Sequence, residues 1–196
     1  MNIIKDTRKM VRLALLIAIL IVMEITNIGY IKTPTGLEFT LMQIPVLIGA
    51  ILMGPSGGAI LGGVFGLTSF FECFGKSMFG STLLAINPAY TFIVCFFPRL
   101  LMGLCCGLIF KALNRNDGKG IFSFGAASLA GALLNTLFFM TTLILLFGNS
   151  DYIMSLRGSM GIFQFVAAFV GVQGVIEAIV CFVIGTAVSK ALWKVR

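Results

Sequence analysis

The chain has 196 residues, 59% of them hydrophobic and 11% charged, with 14 Lys and Arg against 7 Asp and Glu for a formal charge of +7. Soluble proteins run at about 45–50% apolar and about 25% charged residues, so this composition belongs to a membrane protein, and at about 20 residues per crossing it leaves no room for a separate soluble catalytic domain. The absence of histidine excludes histidine-based catalysis, and there is no G-x-x-x-x-G-K-[ST] loop with which the chain could bind and hydrolyse ATP by itself.

The first apolar stretch covers about residues 12–29. It is long enough to span and lacks an A-x-A-like cleavage site before the next loop, so it reads as a full crossing and not as a signal peptide. Ala14 and Ala18 within it are spaced i, i+4 and place two small residues on one helix face. Glu24 and Asn27 close its far end, with Tyr30 following in a longer connection, Gly29–Thr40. The second stretch, about 41–53, is short for a hydrocarbon core about 30 Å thick and is expected to be tilted, extended into the preceding loop or partly re-entrant. Gly54-Pro55-Ser56-Gly57-Gly58 then reads as a tight turn.

The third stretch, about 57–74, contains Gly58-x-x-x-Gly62-x-x-x-Gly66. This pattern strips side chains from one helix face and allows close backbone approach, either to another helix of the bundle or to a partner. Glu72 and Lys76 stand at its end, and the connection Gly75–Asn87 is again long. The fourth stretch, about 88–112, opens with Asn87 and Tyr90 and carries Arg99 at mid-depth, 11 residues after Pro88. A short polar connection, 114–120, leads to the fifth stretch, about 121–147, with Asn135 at similar depth. After the connection Gly148–Gly161, which carries Arg157, the sixth stretch, about 162–189, holds Gln164 near its start. Gln173 and Glu177 lie deeper on one face at i, i+4 spacing.

Six crossings place Lys5, Arg8, Lys9, Arg12, Lys111, Arg115, Lys119, Lys190, Lys194 and Arg196 on one side and Lys32, Lys76 and Arg157 on the other. By the positive-inside rule both termini are cytoplasmic. The expected architecture is therefore an all-α membrane protein of six transmembrane helices, one integral-membrane domain over 1–196. Topology accounts for the positive charge, and nucleic-acid binding is not expected because the basic residues form separate juxtamembrane clusters without interleaved aromatics. Cys73, Cys95, Cys105, Cys106 and Cys181 show no C-x-x-C spacing and read as free thiols packed as small apolar groups. The longer connections all fall on the outer side, where they serve either as a lid over an outward-facing pocket or as plain tethers.

Ionisable groups at mid-membrane cost about 2.5–3.5 kcal/mol on insertion scales and face a cavity or a partner. Arg99, Asn135, Gln173 and Glu177 bring three consecutive helices to similar depth with polar groups. Two arrangements satisfy them: an internal Arg99–Glu177 ion pair, or a ligand site in which Arg99 makes charge-assisted bonds to an anion. Glu72, Asn87 and Tyr90 form a second polar layer nearer the outer surface. A lipid-modifying enzyme needs an acid/base pair near the headgroup plane, whereas Glu177 lies deep. A stand-alone secondary carrier is expected to show inverted repeats, and residues 1–98 and 99–196 show no convincing similarity.

Over nearly its full length the chain resembles the substrate-binding S components of energy-coupling factor (ECF) vitamin transporters. The resemblance is carried by the six-span plan, by Ala14-x-x-x-Ala18, and by the run Gln43-Ile44-Pro45-Val46-Leu47-Ile48-Gly49-Ala50-Ile51-Leu52-Met53-Gly54-Pro55 with its continuation Gly58–Ser69. With Asn87-Pro88 and Phe97-Pro98-Arg99-Leu100-Leu101-Met102-Gly103-Leu104, that run is most similar to the pantothenate subgroup. The resemblance implies a bacterial cytoplasmic-membrane protein that captures a vitamin outside and docks on a membrane coupling subunit carried by two cytoplasmic ATPases. It implies no cofactor, metal or ATPase activity of the chain's own. Ala14 and Ala18 match the family motif that packs on the coupling subunit, with Gly58 and Gly62 as further candidates for that interface. For pantothenate it implies Arg99 on the carboxylate, Asn135, Asn87, Tyr90 and Gln173 on the amide and hydroxyls, with Glu177 and Glu72 nearby and Phe70 and Phe71 on the gem-dimethyl end. Riboflavin asks for more aromatic stacking than the lone Trp193 supplies, and folate, with two carboxylates, for more buried cations.

Overall fold

The computed structural model describes residues 7–26, 28–32, 38–117 and 121–194. Lys5, Asn27, Lys119 and Arg196 lie outside the described residues, as do the side chains of Lys32, Arg115 and Gln173. In chain order the elements are α1 (Thr7–Ile25), β1 (Tyr30–Lys32), β2 (Glu38–Thr40), α2 (Gln43–Met53), α3 (Pro55–Glu72), α4 (Met78–Ile86), α5 (Pro88–Asp117), α6 (Ile121–Phe147), α7 (Asp151–Arg157) and α8 (Ile162–Trp193). Six of the helices coincide with the six apolar stretches of the sequence. The connections 29–40, 75–87 and 148–161, expected as loops, carry further elements: the strands β1 and β2, α4 and α7.

Their order has local causes. Ser77 N-caps α4 by accepting from Gly80 N–H at 3.3 Å, and Ser150 caps α7 by accepting from Ile153 N–H at 3.4 Å, each satisfying a donor that a helix start otherwise leaves without a partner. In the connection 29–40, β1 and β2 pair antiparallel with Tyr30 opposite Thr40, and Leu41 N–H extends the pairing by donating to Gly29 O at 2.8 Å.

The expected Gly54–Gly58 turn contracts to a single residue. Gly54 alone has positive φ, +81°, and Pro55, whose ring presets a helical φ, occupies the first turn of α3. Gly57 and Gly58 are already helical. Among the described residues, Pro88–Asn114, Ile121–Phe147 and Gly174–Trp193 are long and apolar enough to cross a membrane. They leave apolar side chains such as Leu108, Leu133, Leu137, Leu145 and Val183 exposed, which suits lipid and not water.

α2 is short because it does not face outward. Every residue of its 11 except Ile44 is buried, and it packs on α3, α5 and α8. A helix enclosed by protein need not match the bilayer thickness, since its neighbours and not its own length meet the lipid.

The closest packing joins α3 to α5. A side chain on Gly58 would collide with Gly103 O, one on Gly62 with Arg99 O, and one on Gly66 would come within 2.8 Å of Phe96 Cα. Gly58 and Gly62 are therefore buried against α5, and the expectation that they present a docking face to a partner is corrected: the glycine stripe is spent inside the bundle, where it lets two backbones touch. Ala14 and Ala18, by contrast, are exposed on α1. Two apolar cores result. The larger joins α1, α2, α3, α5, α6 and α8 around Leu47, Ile51, Leu61, Phe65 and Phe124. The smaller, at the end bearing the hairpin, α4 and α7, joins Leu83, Val94, Leu143, Phe147 and Ile153.

Candidate ligand-binding cavity

Between the two cores lies a cavity of about 390 Å³, within the range of small-molecule sites, about 300–1,000 Å³. Its walls take Phe65, Ser69 and Glu72 from α3, Val94, Cys95 and Arg99 from α5, and Asn135, Thr136 and Phe139 from α6. Tyr30 and Thr40 of the hairpin, Cys73, the first turn of α4 and Leu83, Tyr152 and Leu156 of α7, and Val170 and Glu177 of α8 complete it. The spacing Phe65, Ser69, Glu72 is i, i+4, i+7, one stripe of α3.

Arg99 is the cation of the cavity wall. Its Nη1 donates to Val94 O at 2.8 Å. Pro98, inside α5, has no N–H for the carbonyl four residues earlier, and that carbonyl is Val94; the guanidinium takes up the acceptor that the proline leaves open. The same group lies over the Phe139 ring at 4.8 Å and the Phe65 ring at 5.6 Å, contacts that hold a cation in an apolar wall. Its Nε is buried without a hydrogen-bond partner. Asn135, also buried, has its Oδ1 without a partner. Two polar groups on facing helices thus keep hydrogen-bonding capacity where leaving it unused costs about 1–3 kcal/mol per group.

Among the described residues no ion pair joins Glu177 to Arg99. The Glu177 carboxylate accepts from Thr40 N–H at 2.7 Å through Oε1 and from Gln43 Nε2 at 2.8 Å through Oε2. It ties α8 to the β2–α2 junction, so the ion-pair alternative gives way to a carboxylate that anchors backbone. Glu72 is buried beside the Tyr30 phenol. Burial, followed by the charges of Glu72 and Glu24, pushes that phenol well above its ordinary pKa; like any tyrosine it is protonated at neutral pH and able to donate. Behind it Lys76 Nζ pairs with Glu24 Oε1 at 3.0 Å and joins the ends of α1 and α3.

Of the residues expected at the site, the fold brings Arg99, Asn135, Glu177 and Glu72 together. Asn87 and Tyr90 are not among the cavity's residues. The Asn87 Oδ1 accepts from Ala89 N–H at 3.0 Å and Tyr90 N–H at 3.2 Å, which makes it the N-cap of α5. Tyr90 is nine residues from Arg99, half a turn away at about 100° per residue, and its ring lies edge-on to Phe147 at 6.0 Å. Phe71 falls one position off the α3 stripe and is exposed. Phe70 stacks edge-on with Phe74 and Phe92 outside the cavity. The Gln173 side chain lies outside the described residues. Thr40, Ser69, Thr136 and Tyr152 were not anticipated. Ser69 was legible as the i−3 neighbour of Glu72, whereas Thr40 and Tyr152 arrive on connections whose folding no periodicity announces.

A family model for the ECF transporter substrate-specific component matches residues 8–189. The chain is 30% identical over 194 residues to the pantothenic acid transporter PanT of Lactococcus lactis subsp. cremoris (strain MG1363), covering 94% of this chain and 93% of that protein. It is 35% identical over 123 residues to the pantothenate transporter PanT of Leuconostoc mesenteroides subsp. mesenteroides, covering 60% and 58% respectively.

Proposed function

We propose, from the premise that this chain belongs to the family of ECF transporter substrate-specific components, that it binds pantothenate and delivers it to an ATP-driven import complex. The observation that carries the reading is Arg99, a guanidinium held in a cavity wall by Val94 O and two aromatic rings with its Nε unpartnered. It seats the single carboxylate of the ligand. Asn135 and the protonated Tyr30 phenol meet the amide and hydroxyls, and Phe65, Phe139 and Leu83 of the cavity wall meet the gem-dimethyl carbons. Glu72 and Glu177 in the same wall disfavour a second negative charge on the ligand, which supports a monocarboxylate over a dicarboxylate such as folate. The names of the relatives from both organisms agree.

The chain crosses the bacterial cytoplasmic membrane six times as one domain, with both termini inside and the hairpin end of the cavity outside. The exposed pair Ala14 and Ala18 supports docking of α1 on a membrane coupling subunit carried by two ATPases, which supply the nucleotide chemistry this chain lacks. Calorimetry on the purified protein, without nucleotide, is expected to show pantothenate binding. Arg99→Ala is expected to weaken it about tenfold or more, since a hydrogen bond to a charged group contributes about 1.5–3 kcal/mol. Unchanged affinity in that variant, or tight binding of another vitamin with none of pantothenate, overturns the reading.

A further inference from the structure

Two groups of the cavity wall have no part in ligand recognition as described: the thiols of Cys73 and Cys95. Their Sγ atoms lie 3.7 Å apart. Cys73 directly follows α3 and Cys95 lies in α5, so the pair bridges the two helices that pack most closely. Both are almost fully buried within the protein, and the cavity is the route by which a small molecule reaches them. Cys106, by comparison, donates to Ala127 O at 3.4 Å, and no other thiol pair at such a distance occurs among the described residues.

We propose that Cys73 and Cys95 form a reversible dithiol–disulfide site, oxidised by a small peroxide that enters the cavity, and that the disulfide fastens the corner between α3 and α4 to α5. Forming the bond requires the two Sγ atoms to close from 3.7 Å to the bonded length of about 2.05 Å. One thiolate attacks a peroxide oxygen; the O–O bond breaks, giving a sulfenic acid and one equivalent of water. The second thiol attacks the sulfenic sulfur, forms the S–S bond and expels a second water. The two thiols give up two electrons and two protons, and hydrogen peroxide is reduced to two waters.

The consequence lies in α4. Its first turn, Ser77 to Gly80, forms part of the cavity wall. A Cβ on Gly80 would stand 2.7 Å from Cys73 Sγ, so this turn rests directly on the thiol. Gly75, with φ +108°, is the pivot between α3 and α4, because that conformation is open to glycine at little cost. Tying Cys73 to α5 fixes the surface on which the turn rests and removes freedom at the pivot.

The test uses the full chain purified in detergent, treated with hydrogen peroxide and digested under non-reducing conditions. The expected result is a peptide linking Cys73 to Cys95, about 2 Da lighter than the two reduced peptides together, abolished by dithiothreitol and by Cys95→Ala. Amide hydrogen exchange across Met78–Ile86 is expected to slow about tenfold in the oxidised form and to recover on reduction. Thiols that remain reduced, or that pass separately to sulfinic acid without the linked peptide, overturn the site. A linked peptide with unchanged exchange across α4 overturns the fastening. Neither readout uses a vitamin, so the outcome is independent of the ligand assignment.

Discussion

The guanidinium of Arg99 and the carbonyl of Val94 are joined by a 2.8 Å hydrogen bond that exists because Pro98 lies between them in α5. An uninterrupted helix would use Val94 O for the N–H four residues on; proline has none, and the neighbouring arginine takes the acceptor. Local helix chemistry thereby aims a charge into the cavity.

Replacing Pro98 by alanine returns that N–H and makes it compete with Arg99 for Val94 O. The expected outcome is pantothenate affinity lowered by about threefold to tenfold, with thermal stability unchanged or raised because the proline no longer interrupts the helix. Calorimetry and a melting curve on the same sample check both. Equal affinity in Pro98→Ala shows that Val94 does not position the arginine.

Glu177 anchors the hairpin through Thr40 and Gln43. Glu177→Ala leaves a buried amide donor and a backbone N–H without acceptors, each at about 1–3 kcal/mol, and is expected to lower the melting temperature and loosen β2. Glu177→Gln keeps one acceptor oxygen and is expected to lose less. Hydrogen exchange at Thr40 separates the two variants.

Asn87 and Asn135, both expected on the ligand, part ways: Asn87 caps α5 and Asn135 lies in the cavity wall. Asn87→Ala removes a helix cap and is expected to cost about 1 kcal/mol of stability with affinity unchanged. Asn135→Ala is expected to reduce affinity about tenfold through one lost ligand hydrogen bond. Paired melting and binding measurements decide; a binding defect in Asn87→Ala places that residue in the site after all.

Gly62→Leu drives a side chain into the Arg99 backbone. No flexible group is there to give way, so the α3–α5 contact must open at a cost of several kcal/mol, beyond the 1–3 kcal/mol typical of overpacking. Loss of the monodisperse peak in size-exclusion chromatography is the expected result. Its persistence with normal ligand binding indicates a looser helix contact than the one described.

Ala14→Leu with Ala18→Leu adds bulk to an exposed face of α1 and touches neither core. Ligand binding by the purified subunit is expected to stay intact while uptake, assayed with the coupling subunit and ATPases present, falls at least about tenfold. Undiminished uptake removes α1 as the docking face.

Much of the fold was legible because burial in lipid writes itself into composition. Six apolar stretches became six helices, and the mid-depth ionisable residues Arg99 and Glu177 did reach one cavity, since groups so costly to bury need partners. Which partner each takes was not legible. Arg99 and Glu177 look like a salt bridge by sign and depth, yet Glu177 accepts from Thr40 and Gln43, residues more than a hundred positions away that only the packing of α2 against α8 brings within reach.

The sequence by itself determined the membrane class, the positions of six apolar helices and the absence of a nucleotide-hydrolysing loop, because hydropathy and motif spacing are local properties. Tertiary structure alone decided that the glycines of α3 face α5, that Asn87 and Tyr90 stand outside the cavity, and that two distant thiols meet in its wall. Each of these depends on the rotation of one helix about its axis relative to another. At about 100° per residue, a face is defined only by the neighbour it meets.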